Sequence, residues 1–358
     1  MMEKEMQILM LVNWKVEYCE VPPIGKQPPD YKADNEDYWF FRYFKNKPNV
    51  DVVDVSSCSW LERFEKNKLH FYVWQSIKAI PQLNKYDLVI SHGMQSAVVI
   101  CLWRRLFKTN AKHIVFDIGC FASASESGFP LRLMQFASKS LDGLIYHMGS
   151  QKKYYEKFFP WVVSKSIFIK YGVDNNYFSR EDKANNTAKP YIVCVGRNKC
   201  DWDTLVTAYK LCNLELELHL VGAVEKKFDN LPGVVQIPYL PIEEYISQVQ
   251  RAELCVLPLE EVKFSFGQMR LLQQMAMQKC VIVSQVPSIV DYVINNENAV
   301  FYKAGDAMDL KEKITTFHKN EKERSRLALN ASRYVKNNCN EKMMAIEIEK
   351  YFYNLMEI

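Results

Sequence analysis

Basic side chains that could bind an anion follow a buried strand in the second half of the chain. The segment YIVCVG ends at Gly196, Arg197 and Lys199 come next, and Asp201 is suited to cap the helix that follows. A guanidinium can hold a diphosphate through two parallel hydrogen bonds. We therefore expect Arg197 to bind phosphate; the alternative is an arginine that caps a neighbouring helix or pairs with a surface carboxylate.

A glycine at the start of a helix is a second feature that suits a phosphate. Gly267 precedes a predicted helix over Gln268–Gln278, which leads into the apolar strand CVIVS. Without a side chain, a glycine there lets backbone N–H groups approach a phosphate, and the helix dipole favours the negative charge. On local evidence alone, a simple turn residue explains Gly267 better.

Short apolar, β-branched runs alternate with amphipathic stretches along the whole chain. This rhythm predicts parallel sheets covered by helices on both faces. It is interrupted by the polar connector SREDKANNTAK, and we expect domains over residues 1–180 and 181–338, with a helix over 339–358 returning towards the first domain. Ligands of such sheets bind outside the carboxyl ends of the strands. The predicted strands are QILMLV, VDVVDV, DLVIS, HIVFDI, GLIYH, SIFIK, YIVCVG, LELHLVG, VVQIP, ELCVLPL and CVIVS.

Composition and charge exclude several classes of protein. With 48% hydrophobic and 25% charged residues among 358, the chain is neither disordered nor fibrous, and it has no apolar run long enough to span a membrane. The ten cysteines form no CxxC or zinc spacing, which favours reduced thiols in a cytoplasmic protein. The first 180 residues hold 24 Lys and Arg against 18 Asp and Glu. That excess is too diffuse for nucleic acid and fits an anionic ligand or lipid surface better.

One segment of the first half interleaves basic and apolar residues. CLWRRLFK places Trp103, Leu106 and Phe107 among Arg104, Arg105 and Lys108. Such a segment could lie on an anionic membrane surface. An ordinary surface helix with snorkelling basic side chains explains it equally well.

Three segments occur in an order that resembles the retaining GT-B glycosyltransferases, specifically the large family 4 of nucleotide-sugar enzymes. YGVDNNYF resembles the family's hinge P-x-G-V-D-x-x-x-F, and GRNKCDWDTLVTAY resembles its donor-phosphate loop and helix. GQMRLLQQMAMQKCVIVSQVPSIVDYV and NNENAVFYKAGD resemble the two motifs that follow. The likeness covers about Tyr146 to the C-terminus. It implies an α/β GT-B fold: two Rossmann-like, doubly wound parallel-sheet domains facing a central cleft.

The resemblance implies a donor site in the second domain. Arg197 would neutralise the leaving diphosphate, with Lys199 as its helper. In this family the leaving diphosphate can itself take the acceptor proton, so stabilising the departing charge is the protein's main task. The implied donor-binding residues are Gly196, Arg197, Lys199, Ser265, Phe266, Gly267, Gln268 and Gln273.

The sequence departs from the family at two donor-side positions. The family's paired glutamates, eight positions apart, align with Ser265 and Gln273. Gln273 can still accept hydrogen bonds from ribose hydroxyls through its amide oxygen, without charge. Ser265 can hydrogen-bond a sugar hydroxyl, yet it supplies no negative charge near a developing oxocarbenium ion. These departures support an alternative, a GT-B relative that has lost catalysis and serves as a partner subunit.

In the first domain, polar residues that follow strands are candidates for the acceptor side. His92 and Gly93 follow DLVIS, Asp117 ends HIVFDI, and Glu126 lies in the loop ASASESG. His92 could contact the donor sugar or the acceptor, and Asp117 could hydrogen-bond an acceptor hydroxyl. The alternative for both is a buried structural residue whose hydrogen bonds are satisfied within the fold.

The resemblance implies a metal-independent hexosyltransferase without a bound cofactor, acting in glycan or cell-surface polysaccharide synthesis. Its partners would be a nucleotide-sugar donor and a glycan or lipid-linked acceptor, with no nucleic acid. We expect a cytoplasmic protein, with peripheral contact at the inner face of the membrane left open. Another GT-B class, a sugar-nucleotide epimerase or a phosphorylase, is a further alternative; no local pattern suggests the buried lysine that a phosphorylase would need for pyridoxal phosphate.

Overall fold

A computed structural model describes residues 5–119, 121, 126–179, 189–196, 198–222 and 225–357. The chain divides into two compact units. Unit 1 comprises Met1–Ile169, Lys263–Ser265 and Met344–Ile358, and unit 2 comprises Lys170–Val262 and Phe266–Met343. No helix in the described ranges has the length and apolar character needed to cross a membrane.

Unit 1 is built on a six-stranded sheet in which every pairing is parallel. The strand order is β4-β1-β5-β6-β7-β8, so the order reverses between β1 and β5. A short parallel pair, β2 and β3, stands apart from this sheet. The strands are β1 Gln7–Leu11, β2 Glu17–Cys19, β3 Tyr31–Ala33, β4 Asn49–Val53, β5 Leu88–His92, β6 Lys112–Asp117, β7 Gly143–Tyr146 and β8 Ser166–Phe168.

Unit 2 has a second six-stranded parallel sheet in the order β11-β10-β9-β12-β13-β14. This is the doubly wound order of dinucleotide-binding folds, with its reversal between β9 and β12. Five of its strands coincide with predicted runs, whereas the three-residue β14 was not predicted. The strands are β9 Tyr191–Val195, β10 Glu217–Val221, β11 Val234–Ile237, β12 Leu254–Leu257, β13 Val281–Ser284 and β14 Val300–Tyr302.

Helices connect most successive strands of the two six-stranded sheets, as the alternating pattern predicts. The described α-helices are α1 Ser59–Phe64, α2 Val73–Ala79, α3 Met94–Leu106, α4 Gly128–Ser138, α5 Gln151–Phe158, α6 Pro160–Val163, α7 Asn175–Phe178, α8 Trp202–Cys212, α9 Ile242–Arg251, α10 Gln268–Ala276, α11 Ala307–Lys319, α12 Glu321–Asn338 and α13 Glu341–Met356. The described 3₁₀ turns are Trp39–Tyr43, Ile80–Lys85 and Lys226–Phe228, and Glu65–Leu69 is a π-helical turn.

The amphipathic pattern from Trp60 to Ile80 is typical of one helical segment, and the structure breaks it. His70 adopts a left-handed conformation, with φ of 60°, and ends the first part. The buried Glu65 carboxylate then accepts a hydrogen bond from the backbone N–H of Trp74, 2.7 Å away, in the first turn of α2. A carboxylate at a helix N-terminus satisfies an otherwise unpaired N–H group, so this buried contact stabilises the break.

The YGVD segment behaves as a structural turn. A side chain at Gly172 would lie 2.3 Å from the carbonyl oxygen of Asn340, so only glycine fits there. Asp174 caps α7 by accepting a hydrogen bond from the N–H of Tyr177, at 3.1 Å. Both observations indicate a structural role for this segment.

The last helix, α13, contributes to unit 1 from Met344 onwards. Its Glu349 carboxylate accepts hydrogen bonds from the backbone N–H groups of Lys45 and Asn46, at 3.0 and 3.1 Å. Its Tyr351 hydroxyl accepts one from the N–H of Leu144, at the start of β7. These contacts attach the C-terminal residues to unit 1, next to the start of β7 and to the residues that precede β4.

Candidate functional site

The best candidate site in unit 2 lies where the strand order reverses, at the carboxyl ends of β9 and β12. The loops that follow these two strands are joined by backbone hydrogen bonds, from Asp201 N–H to Pro258 (2.6 Å) and from Glu260 N–H to Lys199 (3.1 Å). A bridge between Cys200 and Leu259 adds to the contact. Ligands of doubly wound sheets bind at this reversal point.

Gly196 lets the loop after β9 fold back tightly. A side chain at Gly196 would lie 2.1 Å from the sulfur of Cys200. Cys200 is in turn buried, and a hydrogen bond with the Cys194 thiol lowers its pKa. At the end of the loop, Asp201 caps α8 as predicted, accepting from the N–H of Thr204 at 3.0 Å.

Of the two predicted phosphate-binding cations, the structure describes only Lys199. Arg197, the central sequence prediction, lies outside the described residues, and its role stays a prediction. Lys199 lies on the loop with a left-handed backbone, φ of 54°. Its ammonium group is 3.4 Å from the Glu260 carboxylate, and both side chains are about half exposed, at 47%. An anion at this loop would therefore compete with Glu260 for Lys199.

The predicted glycine at the helix start is required by the backbone. Gly267 has φ of 86°, which favours glycine, and it immediately precedes α10. A side chain there would come within 2.4 Å of Leu259, a residue of the loop after β12. The N-terminus of α10 is therefore adjacent to the loops at the reversal point. The first N–H groups of a helix have no acceptor within the helix, and they favour an anion.

The other predicted donor-side residues differ in whether their side chains are available to a ligand. Gln273 is buried, at 6% exposure, and no described residue hydrogen-bonds its side-chain amide, which suits a polar ligand group. Gln268 is occupied, since its amide donates to the carbonyl of Ser288 at 2.8 Å. Phe266 packs against the apolar core of unit 2, whereas Ser265 belongs to unit 1.

Arg270 is a further candidate for the site, and no motif in the sequence marks it. It lies in the first turn of α10, is partly buried, and its guanidinium has no hydrogen bond or ion pair with any residue in the described ranges. Its positive charge acts at the reversal point, because it lowers the pKa of Cys200 in addition to the effect of Cys194. It also opposes the larger effect of burial, which raises the pKa of Tyr245. The motif gave no signal, since the resemblance leaves this position unspecified.

In unit 1, His92 lies at the corresponding reversal point, between β1 and β5. It ends β5 and is 3.3 Å from the side-chain oxygen of Asn13, which follows β1. Its ring packs edge-on against Trp14, with centroids 4.6 Å apart. Burial, with a smaller effect of His147, lowers the pKa of His92 to about 3. The imidazole is therefore neutral at pH 7, and with Nδ1 donating to Asn13 it can accept a hydrogen bond at Nε2.

Asp117 is fully buried at the end of β6, and its oxygens already have partners. They accept from the Gly119 N–H (2.8 Å), the Gln151 amide (3.1 Å) and the Tyr155 hydroxyl. This arrangement holds the loop after β6 in place. Contact of Asp117 with an acceptor hydroxyl remains a prediction.

The two remaining acceptor-side candidates, Gly93 and Glu126, both belong to unit 1, and Gly93 directly follows β5. Gly93 has φ of 88° and starts α3, with its N–H bonded to the carbonyl of Phe116. Glu126 is exposed and pairs with Lys263 at 2.5 Å, and this hydrogen bond lowers the pKa of its carboxyl.

Metal-ligating side chains do not cluster within the described ranges. No group of three or more His, Cys, Asp or Glu residues in them could hold a metal ion. The described cysteines are free thiols, several of them in the core.

Comparison with known proteins connects this geometry to a family. Residues 176–334 match the family model described as "Glycosyl transferases group 1". None of the curated proteins compared with the sequence matches it.

Solved structures share the fold over the whole chain at low sequence identity. HepE from Anabaena, in complex with UDP, is 14% identical, with a TM-score of 0.69 over 98% of this chain and 100% of its own. Sucrose-phosphate synthase from Thermosynechococcus elongatus is 16% identical, with a TM-score of 0.71 over 98% and 99%. A glycosyltransferase from Rickettsia africae is 14% identical, with a TM-score of 0.70 over 99% of both chains. Residues 176–334 thus match the model of the glycosyl transferases group 1, within a chain that has the two-domain GT-B fold of these solved structures.

Proposed function

We propose that this protein is a glycosyltransferase that moves a hexose from a nucleotide-diphosphate sugar to an acceptor hydroxyl with retention of configuration. The observation that carries the proposal is the reversal point of the unit 2 sheet, inside the segment that matches the family model. There the loop after β9, the loop after β12 and the N-terminus of α10 are in contact.

Stabilisation of the departing diphosphate is the main chemical task in this proposal. Arg197 and Lys199 are the cations on the loop after β9, and Arg270 supplies a third positive charge from α10. Hydrogen-bond donors that are already positioned for the charge of the leaving group lower the barrier without reorganising during the reaction. Arg270 suits this role because no described residue neutralises it.

Gln273 would accept hydrogen bonds from the ribose hydroxyls through its amide oxygen. Its burial and its lack of a described partner support this assignment. A neutral amide accepts more weakly than a carboxylate, so we expect weaker nucleotide binding than a glutamate would give. Ser265 would contact the sugar only through a neutral hydroxyl.

On the acceptor side, we assign His92 a hydrogen-bonding role. A neutral imidazole with a pKa of about 3 is a poor base, and it can accept a hydrogen bond from a sugar hydroxyl. The acceptor would be a glycan or a lipid-linked sugar in cell-surface polysaccharide synthesis.

We further propose that transfer needs no metal ion, because arginine and lysine side chains supply the positive charge at the phosphates. Activity that is unchanged in EDTA would agree with this, and restoration of a lost activity by Mg²⁺ or Mn²⁺ would contradict it. The cytoplasmic location inferred from the cysteine pattern stays a prediction.

A panel of UDP-, GDP- and ADP-sugars tests the proposal. The HepE structures hold UDP and UDP-glucose, so the UDP series comes first. A donor at 100 times its dissociation constant should stabilise the fold by about 2.7 kcal/mol, visible as a rise in the unfolding temperature. Slow release of UDP from the bound donor should accompany it. No thermal response to any donor would contradict the proposal.

The replacements at Ser265 and Gln273 favour a second candidate, a nucleotide-sugar-binding partner protein without catalysis. It predicts donor-dependent stabilisation with no release of nucleotide, even when the acceptor is present. Turnover of the donor would exclude this candidate. An epimerase would instead convert the free nucleotide sugar without any acceptor, which product analysis of the same incubations detects.

A further inference from the structure

An exposed face of unit 1 combines basic and apolar side chains from two neighbouring helices. The first contribution comes from the end of α3 and the residues that follow it. Leu106 is 74% exposed and Phe107 is 49% exposed, and Phe107 stacks on Trp103 with ring centroids 4.0 Å apart. Arg105 and Lys108 are exposed beside them.

The second contribution is a stripe along α4. Phe129, Arg132, Phe136 and Lys139 follow one another at helical spacing, and all four are exposed. Phe129 is 75% exposed and Phe136 is 46% exposed. The guanidinium of Arg105 lies over the ring of Phe136, 4.9 Å from its centroid, so the two helices form one continuous surface. We call these residues, 105–108 with 129, 132, 136 and 139, the basic–aromatic face.

The charge on this face is almost uncompensated. Between Asp87 and Asp142 the chain has six Lys and Arg residues and only two acidic ones, Asp117 and Glu126. Asp117 is buried, and Glu126 pairs with Lys263. Asp142 pairs with Arg104 at 2.8 Å and lies 4.0 Å from Lys112.

Within the described ranges, no carboxylate pairs with the four cations of the face, Arg105, Lys108, Arg132 and Lys139. Acidic residues three or four positions away on a helix surface would offset such charges. Here the surface has a single sign of charge, and it therefore complements an anionic partner.

We propose that the basic–aromatic face docks this protein on the surface of an anionic phospholipid bilayer. Phenylalanine and leucine side chains that protrude among Lys and Arg can insert at the level of the lipid headgroups while the cations contact phosphate. An acidic protein is the less favoured partner, because the most exposed apolar side chains project from helix surfaces. A second copy is disfavoured by repulsion between like charges. The proposal does not depend on the transferase assignment.

Sedimentation of the full chain with vesicles tests it. We expect binding to vesicles of phosphatidylglycerol and phosphatidylcholine in equal parts, little binding to phosphatidylcholine alone, and weaker binding as salt rises. Each basic residue near an anionic surface should contribute about fivefold in affinity, so Arg105→Gln with Arg132→Gln should weaken binding about 30-fold. Phe129→Ser with Phe136→Ser should weaken it at least tenfold.

Matched control variants lie in unit 2. Lys322→Gln with Arg333→Gln removes two exposed cations from α12, and Tyr239→Ser removes an aromatic side chain that is 73% exposed. Both controls should bind vesicles as the wild type does. Unfolding temperatures within about a degree of wild type would show that the face variants are folded, as expected for exposed positions.

Three results would overturn the proposal. The first is no binding to anionic vesicles at low salt. The second is binding that the face variants and the control variants change equally. The third is binding to an acidic polypeptide such as polyglutamate, lost in the face variants, without binding to vesicles, which would assign the face to a protein partner.

Discussion

Arg270 provides the sharpest test of the donor site, because its guanidinium is partly buried and has no ion-pair partner in the described ranges. We predict that Arg270→Gln weakens the binding of UDP, the first nucleotide to test. A hydrogen bond to a charged group contributes about 1.5–3 kcal/mol, which corresponds to about a 10- to 150-fold rise in the dissociation constant. Arg270→Lys should restore only part of the affinity, because an ammonium group lacks the planar fork that matches a diphosphate.

Isothermal titration calorimetry with UDP and with uridine separates a phosphate contact from a general loss of the site. If Arg270 binds the diphosphate, Arg270→Gln should lower the affinity for UDP and leave that for uridine unchanged. Arg333→Gln, on the exposed face of α12, is the matched control and should leave both affinities unchanged. The unfolding temperature of Arg270→Gln should stay near that of the wild type, since no described partner is lost.

The reasoning fails if wild-type protein binds UDP and Arg270→Gln binds it within twofold. An equal loss of affinity for UDP and uridine would also refute it, because the substitution would then have disturbed the nucleoside pocket. If another diphosphate proves to be the ligand in the donor panel, the same comparison applies with GDP or ADP and the matching nucleoside.

Three further predictions concern the phosphate loop, the α10 glycine and the buried histidines. Arg197→Ala should weaken UDP binding at least tenfold by calorimetry, and an unchanged affinity would remove Arg197 from the site. Gly267→Ala should lower the free energy of unfolding in urea by about 2–4 kcal/mol, through its left-handed backbone and the contact with Leu259. Gly305 also has a left-handed backbone, with φ of 76°, but no atom lies within 4 Å of an added carbon. Gly305→Ala should therefore lower the free energy of unfolding by only about 1–2 kcal/mol. Equal losses in the two variants would contradict the packing argument. Burial lowers the pKa of His92 to about 3 and that of His147 to about 4, so as pH falls below about 6.5 the unfolded chain takes up protons that the folded chain does not. Between pH 7 and pH 5, the free energy of unfolding in urea should fall by about 2 kcal/mol for each of these histidines. In His92→Phe the fall should be smaller by about 2 kcal/mol, because one of the two histidines is gone. A free energy of unfolding that does not change with pH would refute the assignment.

The sequence by itself determined the α/β class and most strands, because apolar β-branched runs are a local property of parallel strands. It also located the cap at Asp201, since capping depends on residues three or four positions apart. The order of three motifs was enough to predict the GT-B fold and the donor loop around Gly196. The break between Glu65 and Trp74 was not predictable, because it depends on a buried carboxylate that the helical pattern does not mark.

Only the tertiary structure decided which distant segments meet. The pairing of β9 with β12 brings the loop of Lys199 against the loop of Glu260, and α10 adds Arg270 to the same place. The tertiary structure also showed that Tyr155 and Gln151 donate hydrogen bonds to the carboxylate of Asp117. It further showed that the cations of α3 and α4 lie on one face. Hydrophobic periodicity states which side of an element is buried, but it does not state which neighbour covers it. That choice depends on packing between residues far apart in the chain, and it decides the chemistry of both surfaces.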